Sequence, residues 1–147
     1  MHRSKAGGNY RLVMQWELAR GDTAALRRDF AELREIRRNL HPGDVAFDGT
    51  YHEAWLHLAI GDTAEATHLL DLSLNALPTL GTYLLDQLPQ VATLVRGMAL
   101  RAQVAARAGD SSIAKHWAQN VILLWSGADN ELQPIVEKMR TIAVGVH

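Results

Sequence analysis

The chain has 147 residues, 48% of them hydrophobic and 21% charged, with a net charge of -1 and no cysteine. This composition predicts one globular domain with its own core, and the near-zero charge gives no general attraction to nucleic acid or to an anionic membrane. Without cysteine, the sequence excludes disulfides, thiolate zinc sites, cysteine-ligated iron–sulfur clusters and a cysteine nucleophile, and it fits a cytoplasmic location.

The N-terminal segment is predicted to be a flexible arm over residues 1–9. It contains charged residues and two glycines but no apolar segment, so it does not have the pattern of a signal peptide. No apolar run in the chain approaches the roughly 20 residues that a membrane-spanning helix needs. The folded domain is therefore predicted over residues 10–147.

Beyond the arm, apolar residues recur every three or four positions, which is typical of one face of an α-helix. The pattern is clearest at Tyr51, Ala54, Trp55, Leu58 and Ala59. No segment shows the sustained alternation of a β-strand, so the predicted fold class is all-α. We predict helices over residues 10–20, 23–39, 50–60, 63–77, 89–108, 111–125 and 131–144, main loops at 41–49 and 78–82, and a short helical piece at 83–88.

Three pairs of predicted helices meet at the same dipeptide, glycine followed by aspartate. Glycine takes the left-handed conformation that closes a helix, and the aspartate side chain then caps the next helix. The dipeptides are Gly21-Asp22, Gly61-Asp62 and Gly109-Asp110, so the glycines are 40 and 48 residues apart. A period of this length, made of paired helices, is typical of an α-solenoid.

The last predicted helix has a different beginning. Asp129 is the expected N-cap, but Pro134 follows just beyond the first turn, which favours a later start of the regular helix. The helix mixes charged residues with an apolar stripe. It is expected to cover the final hairpin with a polar outer face, as the ends of solenoids require.

The middle unit resembles a tetratricopeptide repeat. Ala54 and Ala66 stand at the small positions of its two helices, Gly61 at the turn, Leu70 at the large packing position and Pro78 at the end of the unit. The resemblance extends in degenerate form over roughly residues 10–126. It implies a short right-handed α-solenoid of about three helix-turn-helix hairpins plus a C-terminal capping helix.

The same resemblance implies a concave groove lined by the first helix of each pair. Such a groove is basic at both ends and aromatic in the middle, which suits a partner peptide with an apolar anchor and acidic flanks. We therefore expect a non-catalytic scaffold or adaptor that binds a protein partner and needs no cofactor. The groove positions are Arg11, Gln15, Tyr51, Trp55, Leu58, Arg96, Gln103 and Arg107.

A metal site is not predicted, although the string HEAWLH contains two histidines and a glutamate. His52 and His57 are five residues apart, which separates them by about 140° around a helix and prevents both from facing one ion. His57 and His68 could still meet across the hairpin. The expected role of these histidines is at the surface or at the edge of the groove.

Catalysis and nucleic-acid binding are not predicted either. No serine lies in a nucleophile elbow, and no aspartate–histidine pair is marked by its spacing. The arginine-rich segment 26–40 alternates its charges at helical spacing, which favours a solvated helix face, and it lacks the interleaved aromatic residues that stack on bases.

Two other functions stay open at the level of sequence. Trp55 can pack against a neighbouring helix or a second copy of the chain, and a homo-oligomer could use Trp125, Leu124 or the uncovered N-terminal end. The closing segment, residues 123–140, is similar to the ends of helical-repeat regions in large bacterial signalling proteins, including some with serine/threonine kinase domains. That similarity implies an accessory domain of a larger regulatory protein.

Overall fold

The computed structural model describes residues 10–40, 47–79 and 88–145. Within these ranges the chain forms seven α-helices and one 3-10 turn and has no strand, so the all-α prediction is confirmed. The helices are α1 (Tyr10–Ala19), α2 (Thr23–Arg38), α3 (Phe47–Ala59), α4 (Thr63–Asn75), α5 (Leu88–Arg107), α6 (Ser111–Trp125) and α7 (Gln133–Ala143), and the 3-10 turn covers Leu77–Thr79. The predicted arm (1–9), most of the loops predicted at 41–49 and 78–82 and nearly all of the helical piece predicted at 83–88 lie outside the described residues.

The three glycine–aspartate turns have one common geometry. Gly21, Gly61 and Gly109 have φ angles of 71°, 83° and 79°, in the left-handed region where a side chain is strained. In each turn the aspartate N–H donates to the carbonyl five residues earlier, at 2.9 Å. Its carboxylate accepts a hydrogen bond from the N–H three residues later. One aspartate therefore satisfies the end of one helix and the start of the next, and the predicted turns are confirmed.

The predicted cap of the last helix is wrong. Leu132, not Asp129, occupies the N-cap position of α7, and it makes no side-chain capping bond. Pro134 lies in the first turn of the helix, where its missing N–H costs nothing and its fixed φ is helical. The proline therefore sets the start of α7. The Gln133 side chain instead donates to the Ala128 carbonyl at 2.7 Å and holds the preceding loop.

The core is built from successive hairpins, each packed against the first helix of the next. Met14, Leu26 and Phe30 from α1 and α2 enclose Leu56 of α3. A second cluster joins α3 and α4, and Leu100 of α5 packs against it. A larger third cluster joins α4, α5, α6 and α7. The first helices also touch in sequence, with contacts between α1 and α3, α3 and α5, and α5 and α7.

A comparison of one turn glycine with one helical glycine tests the left-handed conformation of the turns. An added methyl group would meet no atom within 4 Å at either Gly61 or Gly97, but Gly61 has positive φ and Gly97 lies inside helix α5. We expect Gly61→Ala to lower the free energy of unfolding by about 1 kcal/mol because of strain. We expect Gly97→Ala to raise it by about 0.5 kcal/mol because alanine favours the helix. Urea unfolding measures both, and equal effects would contradict this account of the turn.

Candidate binding surface and hairpin junctions

Trp55 lies on α3 with 42% of its surface exposed, although it is a large aromatic side chain. Its ring is stacked near that of His52, with 6.3 Å between the centroids. The burial of Ala54, Leu56 and His57 on the other sides of α3 leaves the Trp55 face uncovered. Within the chain, Trp55 therefore belongs to the surface and not to the core.

Arg11 of α1 adjoins this aromatic pair. Burial lowers the pKa of His52, and the Arg11 guanidinium lowers it further, while a hydrogen bond to the Arg11 backbone opposes both effects. The two lowering effects favour the neutral form of His52. The structure brings Arg11 and Trp55, two of the predicted groove residues, close together through His52, which the sequence placed at the surface or at the edge of the groove.

The remaining groove predictions divide into exposed and partly buried positions. Leu58 packs against the Ala54 and Leu70 cluster, so its side chain belongs mainly to the core. Gln103 accepts a hydrogen bond from Lys138 of α7 at 2.7 Å, which extends the same surface onto the last helix. Gln15, Arg96 and Arg107 are exposed, whereas Arg11, Tyr51, Leu58 and Gln103 are partly buried.

The surface of the first helices has one sign of charge. In the parts of α1, α3 and α5 whose side chains the structure describes, Arg96 and Arg107 are exposed, and no carboxylate is. Glu17 is partly buried, and Glu53 is buried. An approaching ligand therefore meets arginine and aromatic groups without acidic competitors, a combination that attracts carboxylates.

Besides the more exposed Arg34–Glu65 contact between α2 and α4, two ion pairs join the hairpins, and sequence reasoning missed both. Glu53 of α3 is almost fully buried and pairs with Arg37 of α2 in a two-bond geometry, with Nη2 to Oε1 at 3.0 Å. Arg101 of α5 is also buried and holds Asp71 of α4, with Nε to Oδ1 at 2.7 Å and Nη2 to Oδ2 at 3.2 Å. Each pair links the first helix of a hairpin to the second helix of the preceding one.

The two junction pairs occupy the same position with opposite polarity. Glu53 and Arg101 each lie eight residues before a turn glycine, on the face that packs against the preceding hairpin. At the first junction this position is an anion, and at the second it is a cation. In the sequence, each of these two residues is a charge that interrupts an apolar helix face. That pattern could have indicated an ion pair, but it does not show which residue is the partner.

His57 lies beside the first junction and is almost fully buried. Its ring stacks on Phe30 with centroids 3.7 Å apart, and its Nδ1 lies 3.1 Å from an Asp62 carboxylate oxygen. Burial lowers the pKa of His57, against the opposing charges of Glu53, Asp62 and Glu65. The neutral ring is a packing element that also holds the turn aspartate.

The prediction that His57 lies at the surface or at the edge of the groove is wrong, because its ring is buried under Phe30. The ring is covered by Phe30, so it has no free face for a substrate, and His68 is exposed on α4. In the described part of the chain, no group of three or more His, Asp or Glu side chains has an arrangement that could hold a metal ion. The geometry favours a structural histidine.

A cleft of about 380 Å³ opens between α4, α5 and α6. The Asp71–Arg101 pair, His116 and Trp117 lie along it, and the His116 and Trp117 rings meet edge to face at 4.8 Å. The two fixed charges in this cleft neutralise each other. The pair therefore leaves no net fixed charge in this cleft with which to select a charged ligand.

Comparison with protein-family models, with curated proteins and with solved structures finds no match. In the ranges that the structure describes, no helix combines the length and the apolar character needed to cross a membrane.

The first junction pair predicts a large effect of a small substitution. Glu53→Gln preserves shape but leaves the Arg37 charge buried without a counter-ion, so we expect the free energy of unfolding to fall by about 3 kcal/mol. Glu35→Gln is the matched control, because the Glu35–Arg38 pair is exposed, and a change below about 0.5 kcal/mol is expected. Denaturant titration measures both, and similar losses would contradict the role of burial.

The buried histidines predict a loss of stability in mild acid. The pKa values of His52 and His57 are lowered from 6.5 in the folded state, so the unfolded chain binds protons more readily. The free energy of unfolding is therefore highest above pH 6.5 and falls as the pH drops below that value.

Urea titrations at about pH 7.5 and pH 5.5 measure this dependence, above the range where most carboxylates titrate. His57→Gln should reduce the difference in unfolding free energy between the two pH values. His68→Gln, at an exposed position on α4, should leave it unchanged. An unaltered pH dependence in His57→Gln would show that this ring does not carry it.

Proposed function

We propose that the chain is a non-catalytic protein-interaction module that binds a segment of a partner protein on the surface of α1, α3 and α5. The observation that carries the proposal is Trp55, a large aromatic side chain that is exposed near Arg11, on a face where the described side chains include no exposed carboxylate. Exposed aromatic and arginine side chains are the residue types that dominate binding energy in protein interfaces.

The proposal includes a short right-handed solenoid of the tetratricopeptide kind. Its support is the repeated turn, the contacts between successive first helices, and the packing of α4 on α5 and of α6 on α7. In such a stack the first helices share one face, which makes a continuous groove for an extended or helical segment. The amphipathic α7, with its charged residues exposed, then covers the last hairpin.

The proposed occupant is a peptide with one apolar or aromatic anchor and acidic residues on both sides. Trp55 offers the apolar contact, while Arg11 and Arg96 provide charge near the ends of the groove. Because the arginines are at least partly exposed, they contribute mainly to association rate and selectivity, whereas the anchor contributes most of the affinity. A non-catalytic role agrees with the covered ring of His57. A cytoplasmic location belongs to the same proposal and depends only on the cysteine-free sequence.

The experiment starts with selection from a displayed peptide library that contains both acidic and basic sequences. We expect selected peptides to be acidic around an aromatic or aliphatic residue. Fluorescence anisotropy then measures the dissociation constant of a labelled peptide. Trp55→Ala should weaken binding at least about tenfold, which corresponds to about 1.4 kcal/mol. Arg96→Ala should cause a smaller loss that diminishes with added salt.

Trp16→Ala is the matched control, because Trp16 is an exposed tryptophan on α1, outside the predicted groove positions. It should leave peptide affinity within about twofold of the unaltered chain, a difference of under half a kcal/mol. Selection of basic peptides would contradict the proposed partner chemistry. Equal losses in Trp16→Ala and Trp55→Ala would contradict the proposed position of the groove.

A further inference from the structure

The outer face of α1 carries two large apolar side chains that nothing in the described part of the chain covers. Leu12 and Trp16 are 65% and 58% exposed, one helical turn apart. The Arg20 guanidinium lies over the Trp16 ring, 4.3 Å from its centroid, in a cation–π contact. We call Leu12, Trp16 and Arg20 the α1 patch.

The position of Trp16 in its hairpin shows what this face is suited to do. Trp16, Leu56 and Val104 each lie five residues before a turn glycine. Leu56 and Val104 are 0% and 4% exposed. Leu56 is buried against Phe30 and its neighbours in the preceding hairpin. Trp16 therefore occupies a position that the second hairpin uses to pack on its predecessor.

Leu12 follows the same rule. Leu12 and Leu100 each lie nine residues before a turn glycine. Leu100 packs against the cluster of Ala54, Ala66 and Leu70 in the hairpin before it. The α1 patch thus repeats the face by which a hairpin packs on another helix pair, and in the first hairpin that face is open.

A second apolar pair lies at the C-terminal end of α6. Leu123 and Leu124, at the end of α6, are exposed, and the loop that follows them exposes Asp129 and Glu131. We call these four residues the α6 patch. It combines aliphatic side chains with carboxylates, whereas the α1 patch combines an aliphatic and an aromatic side chain with a cation. The two patches are therefore complementary in charge and alike in apolar character.

We propose that the α1 patch of one molecule binds the α6 patch of a second copy, head to tail. A head-to-tail contact leaves one patch open at each end, so association continues beyond a dimer unless the rotation closes a ring. The patches are small, so we expect a weak, concentration-dependent contact.

Sedimentation velocity and light scattering over a range up to about 0.5 mM test this proposal, since contacts of this size give micromolar to millimolar dissociation constants. The mean mass of the unaltered chain should rise with concentration. Trp16→Glu, which disables the α1 patch, and Leu123→Lys together with Leu124→Lys, which disable the α6 patch, should each remain monomeric. Circular dichroism checks that both variants are folded, and all three changes lie at exposed positions.

The decisive step is to mix the two variants. Each retains the patch that the other has lost, so the mixture should form a one-to-one dimer and nothing larger. If only the α1 variant loses association and mixing restores nothing, the contact is a two-fold α1–α1 interface and the proposal is wrong. A chain that stays monomeric at every concentration overturns it equally and leaves the α1 patch to a different protein. Neither result affects peptide binding by Trp55.

Discussion

The fold depends on how one helix hairpin is fixed to the next, and an arginine–carboxylate pair with one buried partner lies at each of the two described junctions between hairpins. Arg37 with Glu53, and Arg101 with Asp71, make paired hydrogen bonds across these junctions. Removing such charges from water is costly, and apolar side chains of similar volume would often stabilise the junction as well or better. The paired hydrogen bonds offset that cost only when the two helices are aligned so that the arginine and the carboxylate face each other. The pairs therefore act mainly by fixing the alignment of the helices, and they add less to the net stability of the fold.

The opposite polarity of the two junction pairs also favours one stacking order of the hairpins over the alternatives. Hairpins built from similar alanine- and leucine-rich helices offer several apolar faces of nearly equal quality, so shape alone discriminates poorly among alternative stackings. If α5 packed on α2 in place of α3, Arg101 would meet Arg37, and two buried cations would have no counter-ion. Such an arrangement carries a penalty that the native order avoids. A swapped pair of charges thus selects the native sequence of hairpins, in the way that single buried polar residues fix register in coiled coils.

The local parts of this structure were predictable, and the long-range parts were not. The turns at Gly21, Gly61 and Gly109 follow from short-range chemistry, because the capping bonds of each aspartate join residues at most five positions apart. For α7, the later start that Pro134 favours is confirmed, whereas the cap was mispredicted, because Asp129 has the right residue type but the proline already fixes the first turn. The pairing of Glu53 with Arg37 spans 16 residues, and that of Arg101 with Asp71 spans 30. No periodicity in the sequence links such partners. The exposure of Trp55 likewise depends on the orientation of α3 between its neighbours.

Adjacent positions on the first helices differ in their environment: one is buried at a hairpin junction and the next reaches the surface. Leu56 and Val104 lie five residues before their turn glycines and are buried, whereas Trp55 and Gln103 lie six residues before them and reach the surface. One residue step turns the side chain by about 100° around the helix, which is enough to move it from the junction to the open face. The identity of the open-face residue can therefore change without disturbing the junction beside it. Trp55 stands where the next hairpin has Gln103, so the packing of the fold does not require an aromatic ring at this position. The proposed partner binding would account for its presence.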